Sequence, residues 1–214
     1  FDSLKHNGLL NDGDHIAINT PVFTPYIQIP RLSNFDLAEI DLQAREENQW
    51  HIPDSEFEKL LDPSVKAFFL VNPSNPGSRS LTDESLEQLR KVVVKRPDLI
   101  IITDDVYGTF VNGFRTVYSV CPRNTILVYS YSKLYGVTGW RLGVIAINED
   151  NVFDELIKKL PEKKKKELES DYSIVTLNPS EMSFVERICA DSRSIGLYHT
   201  SGLSTPQQIM MVLF

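Results

Sequence analysis

The string Ser130-Tyr131-Ser132-Lys133-Leu134-Tyr135-Gly136-Val137-Thr138-Gly139-Trp140-Arg141-Leu142-Gly143 surrounds one lysine with hydroxyls, glycines and an arginine. An amine that attacks an aldehyde must be partly deprotonated near neutral pH, and desolvation or a nearby cation lowers a lysine pKa toward that range. Arg141 can be that cation, and its planar fork can also pair with a phosphate. A lone lysine beside a serine is ordinary solvated surface. The longer string instead fits a Schiff-base lysine next to a phosphate cradle.

Such a lysine needs a frame, and the frame is legible as apolar runs bounded by turn residues. Strands are expected at His15-Ile16-Ala17-Ile18, at 67–71, 99–103 and 125–129, and at 142–147, with segments of helical period between several of them. Between the second and third, Thr82 is the expected N-cap of a helix with Glu84 and Glu87 in its early turns, with Leu86, Leu89 and Val93 on one face, ending before Pro97. This is a βαβ unit, and a right-handed crossover brings both strand ends to one side of the sheet. The polar residues follow those ends: Val71 leads into Asn72-Pro73-Ser74-Asn75-Pro76-Gly77, Thr103 into Asp104-Asp105-Val106-Tyr107, and Tyr129 into Ser130 and Lys133. Open α/β sheets bind ligands at that edge, so one common pocket is expected.

Composition limits the partners. With 42% hydrophobic and 24% charged residues among 214, the chain is expected to be an ordinary α/β body, and a net charge of -7 argues against a general nucleic-acid binder. Cys121 and Cys189 stand apart from metal-ligand spacings and are expected to be buried thiols, with no metal site. No run approaches the roughly 20 apolar residues that span a bilayer, so a cytoplasmic location is the default. The chain opens at Phe1 and its last residues, Met210 to Phe214, read as the middle of a buried helix, which suggests a piece of a longer protein. From Asn148 to about Ser194 the sequence turns charged and helical. Its Lys163–Lys166 run, flanked by glutamates, is expected to be a solvated helix rather than an anion site, and Ser180–Ile195 a second helix with Phe184, Ile188 and Ser192 in helical spacing.

Taken together, N-P-S-N-P-G, D-D-V-Y and S-Y-S-K-x-x-G-x-x-G-W-R-L-G resemble the fold-type I aminotransferases that use pyridoxal phosphate, and the resemblance covers the whole chain. Longer strings around Thr103–Phe110, Val120–Lys133 and Gly202–Gln208 are similar to the branch of aspartate 4-decarboxylases that are also aspartate aminotransferases. The implied fold is the large domain of an aspartate-aminotransferase-like enzyme, a mostly parallel sheet covered by helices. Residues 1–214 would be part of that domain, with a charged helical insertion at about 149–196. The loop that gives phosphate contacts would precede Phe1, and the arginine that grips the substrate carboxylate would follow Phe214.

The resemblance also implies roles. Lys133 would hold pyridoxal phosphate as a Schiff base and shuttle the substrate's Cα proton. Asp104 would face the pyridine nitrogen; Asp105 is its competitor, and strand alternation with the family register favours Asp104. Asn75 and Tyr107 would contact the phenolic oxygen, and Ser130, Arg141 and Ser132 the phosphate. Phe23 lies where family members stack a ring on the pyridine, with core packing as the alternative. Thr200–Thr205 would approach the partner's site in a homodimer or larger homo-oligomer, or form a plain surface loop. The implied activity is conversion of L-aspartate to L-alanine and CO2 with aspartate transamination beside it. A simple aspartate or aromatic aminotransferase is one alternative, and an aminotransferase-like regulatory or assembly module is another.

Overall fold

In a computed structural model of the protein, residues 1–32, 40–43, 46–49, 51–195 and 205–213 are described. The chain divides into two compact units, Asp12–Val152 and a second made of Phe1–Asn11 with Phe153–Phe214. Its strands are β1 (His15–Thr20), β2 (Ile40–Gln43), β3 (Val65–Val71), β4 (Ile100–Asp104), β5 (Thr125–Ser130) and β6 (Gly143–Ala146). The helices of at least four residues with α geometry are α1 (Asp2–His6), α2 (Pro25–Leu32), α3 (Asp54–Phe57), α4 (Asp83–Lys95), α5 (Val152–Lys158), α6 (Glu162–Tyr172), α7 (Phe184–Arg193) and α8 (Thr205–Leu213).

The first unit is one sheet in the order β2-β1-β3-β4-β5-β6. Every neighbouring pair is parallel except β5 with β6. In β3 all residues but Lys66 are buried, and all of β4 is, which is why both read as unbroken apolar runs rather than alternating ones. One sheet face, with Phe68, Leu70 and Ile101, packs with Leu86, Leu89 and Val92 of α4 and with Phe57, Leu60 and Val117. Each such side chain withdrawn from water contributes about 1.5–3 kcal/mol. Thr82 caps α4 by accepting from the Ser85 amide, and the helix stops at Lys95, as the sequence predicts. Val92 rather than Val93 completes its fully buried stripe. Arg96 follows, buried yet satisfied: it donates to the carbonyls of Leu60, Asp62 and Val65 and pairs through two nitrogens with Asp98.

All five expected strands form; β2 was not foreseen, because four residues carry too short a pattern to distinguish. The second unit is helical. The lysine run lies on α6, where Lys165 pairs with Glu162 and Lys164 with Glu167, while Leu168 and Tyr172 turn inward. Helix α7 begins later than expected, with Ser183 as N-cap in a capping box with Glu186. Its buried face is Phe184, Arg187, Ala190 and Asp191, so Cys189 lies on the other side and is exposed, contrary to expectation. Cys121 is buried, and burial pushes its thiol up to about 12. The C-terminal run is helical in α8 but exposed in these residues, from Ile209 to Leu213. Of Thr200–Thr205 only Thr205 lies within the described residues. Among the described residues no helix is long and apolar enough to cross a membrane.

Candidate active site

The last residues of β3 and β4 stand in one row with Val128 of β5, Val71 opposite Asp104 and Asp104 opposite Val128, and β5 runs two residues further to Ser130. Just beyond this row the chain turns away at each strand end and leaves a cleft of about 360 Å³. That volume lies in the range of small-molecule sites, about 300–1,000 Å³. Lys133, Asp104, Asn75, Tyr107, Ser130, Ser132, Arg141 and Phe23 all line it. The three loops that the sequence delivers to one edge therefore converge on a single space.

At one end of the cleft Ser130 Oγ donates to Ser132 Oγ at 2.9 Å and accepts from the Ser132 amide at 3.2 Å. The hydroxyl pair is held by the last residue of β5, which faces Gly143 on β6. A Cβ at Gly143 would stand 2.8 Å from the Tyr129 carbonyl, so the close pairing that fixes Ser130 requires glycine there. Arg141 has φ 53 and ψ 47, left-handed geometry that is uncommon for a side chain this large. Among the described residues its guanidinium makes one hydrogen bond, to the Thr138 carbonyl at 3.0 Å, and is otherwise exposed, so its remaining donors are available to an anion. Lys133 is exposed as well.

The other polar groups are more enclosed. Asp104 is 8% exposed; its Oδ1 accepts from the Val106 amide at 3.0 Å and its Oδ2 from the Tyr26 hydroxyl. Asp105, the residue after β4, is buried, accepts from the Thr103 hydroxyl and is not among the residues lining the cleft, whereas Asp104 is. Burial raises Asp105 to about 6, more than the Thr103 and Thr116 hydroxyls lower it. Asn75 Nδ2 donates to the Tyr107 hydroxyl across 3.4 Å, which sets an amide and a phenol side by side. Phe23 is 50% exposed and meets Tyr26 edge-on at 5.9 Å.

Two residues escaped the sequence reading. Tyr26, on α2, reaches Asp104 across a cleft wall and packs edge-on against Phe69 of β3 at 4.7 Å. Burial first, and the Asp104 carboxylate second, push its phenol far above the usual range, so it remains a donor. Its only signal was its place three residues after Phe23, which points to the same cleft only once α2 is known. Asn19 is the other: its side chain accepts from the Val71 amide at 3.1 Å and donates to the Val71 carbonyl at 3.3 Å, tying the end of β1 to the end of β3. Asn72 likewise acts in the turn, accepting from the Leu81 amide at 2.9 Å.

The chain is similar to known proteins. The chain is 54% identical to a bifunctional aspartate aminotransferase and L-aspartate beta-decarboxylase of a Pseudomonas species, over 100% of this chain and 40% of that protein. An aspartate aminotransferase of Pyrococcus abyssi is 32% identical over 65% of this chain and 36% of its own length. Among solved structures, the aromatic aminotransferase of Pyrococcus horikoshii matches 74% of this chain and 43% of its own with a TM-score of 0.58 at 29% identity. The chain thus spans well under half the length of these relatives. The model of the aminotransferase class I and II family matches residues 7–162, a stretch that includes every residue lining the cleft, and the chain belongs to that family.

Proposed function

We propose that this chain forms part of the cofactor-binding large domain of an enzyme that uses pyridoxal phosphate to convert L-aspartate to L-alanine and CO2, with transamination of aspartate as a second outcome. The observation that carries the cofactor is the donor set around one cleft: an amine, a buried carboxylate, an amide beside a phenol, and a guanidinium beside two hydroxyls. Each matches one part of pyridoxal phosphate, namely the aldehyde, the pyridinium, the phenolic oxygen and the phosphate dianion. The choice of aspartate, and of decarboxylation beside transamination, is supported by likeness to the Pseudomonas protein over the whole chain.

When bound, the cofactor supplies an aldehyde for amines and a ring that accepts electrons from a bond at the substrate's Cα. The chain's own residues supply the rest. Lys133 Nζ would hold the aldehyde and, once freed by the substrate amine, would take the proton from substrate Cα and return one. Asp104, held by Tyr26 and the Val106 amide, would keep the ring nitrogen protonated. Asn75 and Tyr107 would donate toward the phenolic oxygen, Ser130, Ser132 and Arg141 would bind the phosphate, and Phe23 would pack against the ring. In this reading the active unit is a homodimer at least, working in the cytoplasm on amino acid and keto acid substrates.

The test uses full-length protein with pyridoxal phosphate and L-aspartate and no added keto acid. Release of CO2 and alanine, a cofactor absorbance band that changes with aspartate, and borohydride labelling of Lys133 are expected. Transamination with no CO2 would reduce the protein to a simple aminotransferase. Absence of any cofactor band would point to a regulatory or assembly module, and labelling of another lysine would refute the site.

A further inference from the structure

The helical unit contains a cavity that the proposed chemistry leaves unused. It measures about 200 Å³, is open to solvent on one side, and is lined by residues of α5, α6, α7 and the turn before α7. Ile157 and Leu168 form a buried apolar wall, and Lys158, Lys165, Arg187 and Glu169 reach the same space.

Arg187 is the unusual member. It is 3% exposed, and its guanidinium donates to the carbonyls of Met182 and Pro179 at 3.1 Å and more weakly to Asn7 Oδ1 at 3.5 Å. It also lies over the Tyr172 ring, 4.8 Å from the centroid. A guanidinium has more N–H donors than these acceptors use. Unlike Arg96, which pairs with Asp98, Arg187 forms no ion pair with any carboxylate among the described residues. The carboxylates on its own helix are committed elsewhere, Glu186 to Ser183 and Asp191 to Ser3, His6, Asn7 and Tyr172. Asp191 reaches Arg187 by hydrogen bonds only through Asn7, so no carboxylate among the described residues touches the guanidinium directly, and an anion at its unused donors would be favoured. Lys158, exposed and without an ion-pair partner among the described residues, adds a second cation at the rim. Lys165 is balanced by Glu162 at 2.9 Å, and Glu169 offsets one further charge, so the lining retains an excess of one positive charge.

We infer that this cavity binds a small aliphatic monocarboxylate, its carboxylate on Arg187 and Lys158 and its carbon chain against Ile157 and Leu168. A dicarboxylate would bring a second charge against the apolar wall, and an amine would meet the cations. The inference is independent of the activity proposed above, because its test reads binding alone.

The experiment is a calorimetric titration of the full-length protein with butyrate, which has neither an amino nor a 2-oxo group. Butyrate is expected to bind at millimolar concentrations, and succinate and butylammonium at least about 10-fold more weakly. Lys158→Glu, an exposed change that spares the fold, should weaken butyrate about 10-fold, and Ser180→Trp at the cavity mouth should do the same by filling it. Arg187→Leu should remove binding; because it also alters a buried position, the two exposed variants decide the matter if it fails to fold. Arg141→Ala, in the other cleft, should leave butyrate affinity unchanged. Absence of butyrate binding, equal binding of butylammonium, unaltered affinity in both Lys158→Glu and Ser180→Trp, or loss in Arg141→Ala would each overturn the inference.

Discussion

The cleft of the sheet unit and the polar cluster of the helical unit use the same residue types to opposite ends. In the cleft, Arg141 makes one hydrogen bond among the described residues, Lys133 is exposed, and the Asn75–Tyr107 contact is long at 3.4 Å. In the cluster, Asp191 is wholly buried and accepts from Ser3 at 2.7 Å, Tyr172 at 2.8 Å, Asn7 at 3.3 Å and His6 at 3.0 Å. Unused donors leave binding energy for a ligand, whereas saturated ones hold helices together. Hydrogen-bond saturation, more than residue type, therefore distinguishes a site from a scaffold in this molecule.

The widest test of that contrast pairs Lys133→Ala with Asp191→Ala, both in the full-length protein. Lys133→Ala is expected to lower turnover of L-aspartate by about 10⁴-fold while moving unfolding free energy by under about 0.5 kcal/mol, as befits an exposed residue. Asp191→Ala is expected to cost about 3–5 kcal/mol, measured by urea unfolding, because His6 and the other donors lose their shared acceptor. A stable Asp191→Ala protein with crippled turnover would move the cluster from scaffold to site.

Much of the cleft was legible in sequence because its residues sit directly after apolar strands. Val71, Asp104 and Val128 share a row, so the loops that follow them must meet, and Asn75, Asp104 and Lys133 could be placed at one edge from strand ends alone. The polar cluster was not legible: Asp191 bonds residues 188 and 185 positions away in Ser3 and His6, a separation no local period records. Arg187 and Asp191 on α7 look like solvated charges in the sequence and are buried in the structure. Tyr26 was missed for a similar reason, since its partner Asp104 lies 78 positions on.

Tyr26 offers a finer cut, because it is a saturated contact inside the unsaturated region. Asp104→Ala is expected to weaken cofactor binding and lower turnover by about 10²-fold, the loss typical of a positioned electrostatic partner. Tyr26→Phe removes only one of the bonds that hold Asp104, and a charge-assisted hydrogen bond of that kind corresponds to about 10-fold in turnover. The cofactor's absorbance should shift in its pH dependence in Tyr26→Phe, a change that a purely packing role for the ring would not produce. Equal losses in the two variants would mean that Tyr26 acts on the ring directly and not through Asp104.

The smallest effect separates the two regions along the pH axis. His6 faces Asp191 on α7 and Asp171 and Tyr172 on α6, and its hydrogen bond to Asp191 first, then that to Asp171, raises its pKa above 6.5 in the folded state against the opposing effect of burial. A raised folded pKa means that the native state holds its proton longer, so the stability it contributes is complete below 6.5 and is lost as pH rises through the raised value. Asp105 obeys the same sign in a lower window: its folded pKa of about 6 against 3.8 makes stability fall between those values, because burial disfavours its charged form. His6→Gln should therefore flatten the unfolding free energy above pH 6.5 and leave the acid window alone, while Asp105→Asn should flatten the acid window and leave the upper one. Urea unfolding at a series of pH values reads both. His6 is partly exposed, so solvent limits its share to under about 1 kcal/mol. A slope that either variant removed in both windows would show that the cluster and the strand end beneath the cleft residues Asp104 and Val106 titrate as one system, and that the division between scaffold and site does not extend to their protons.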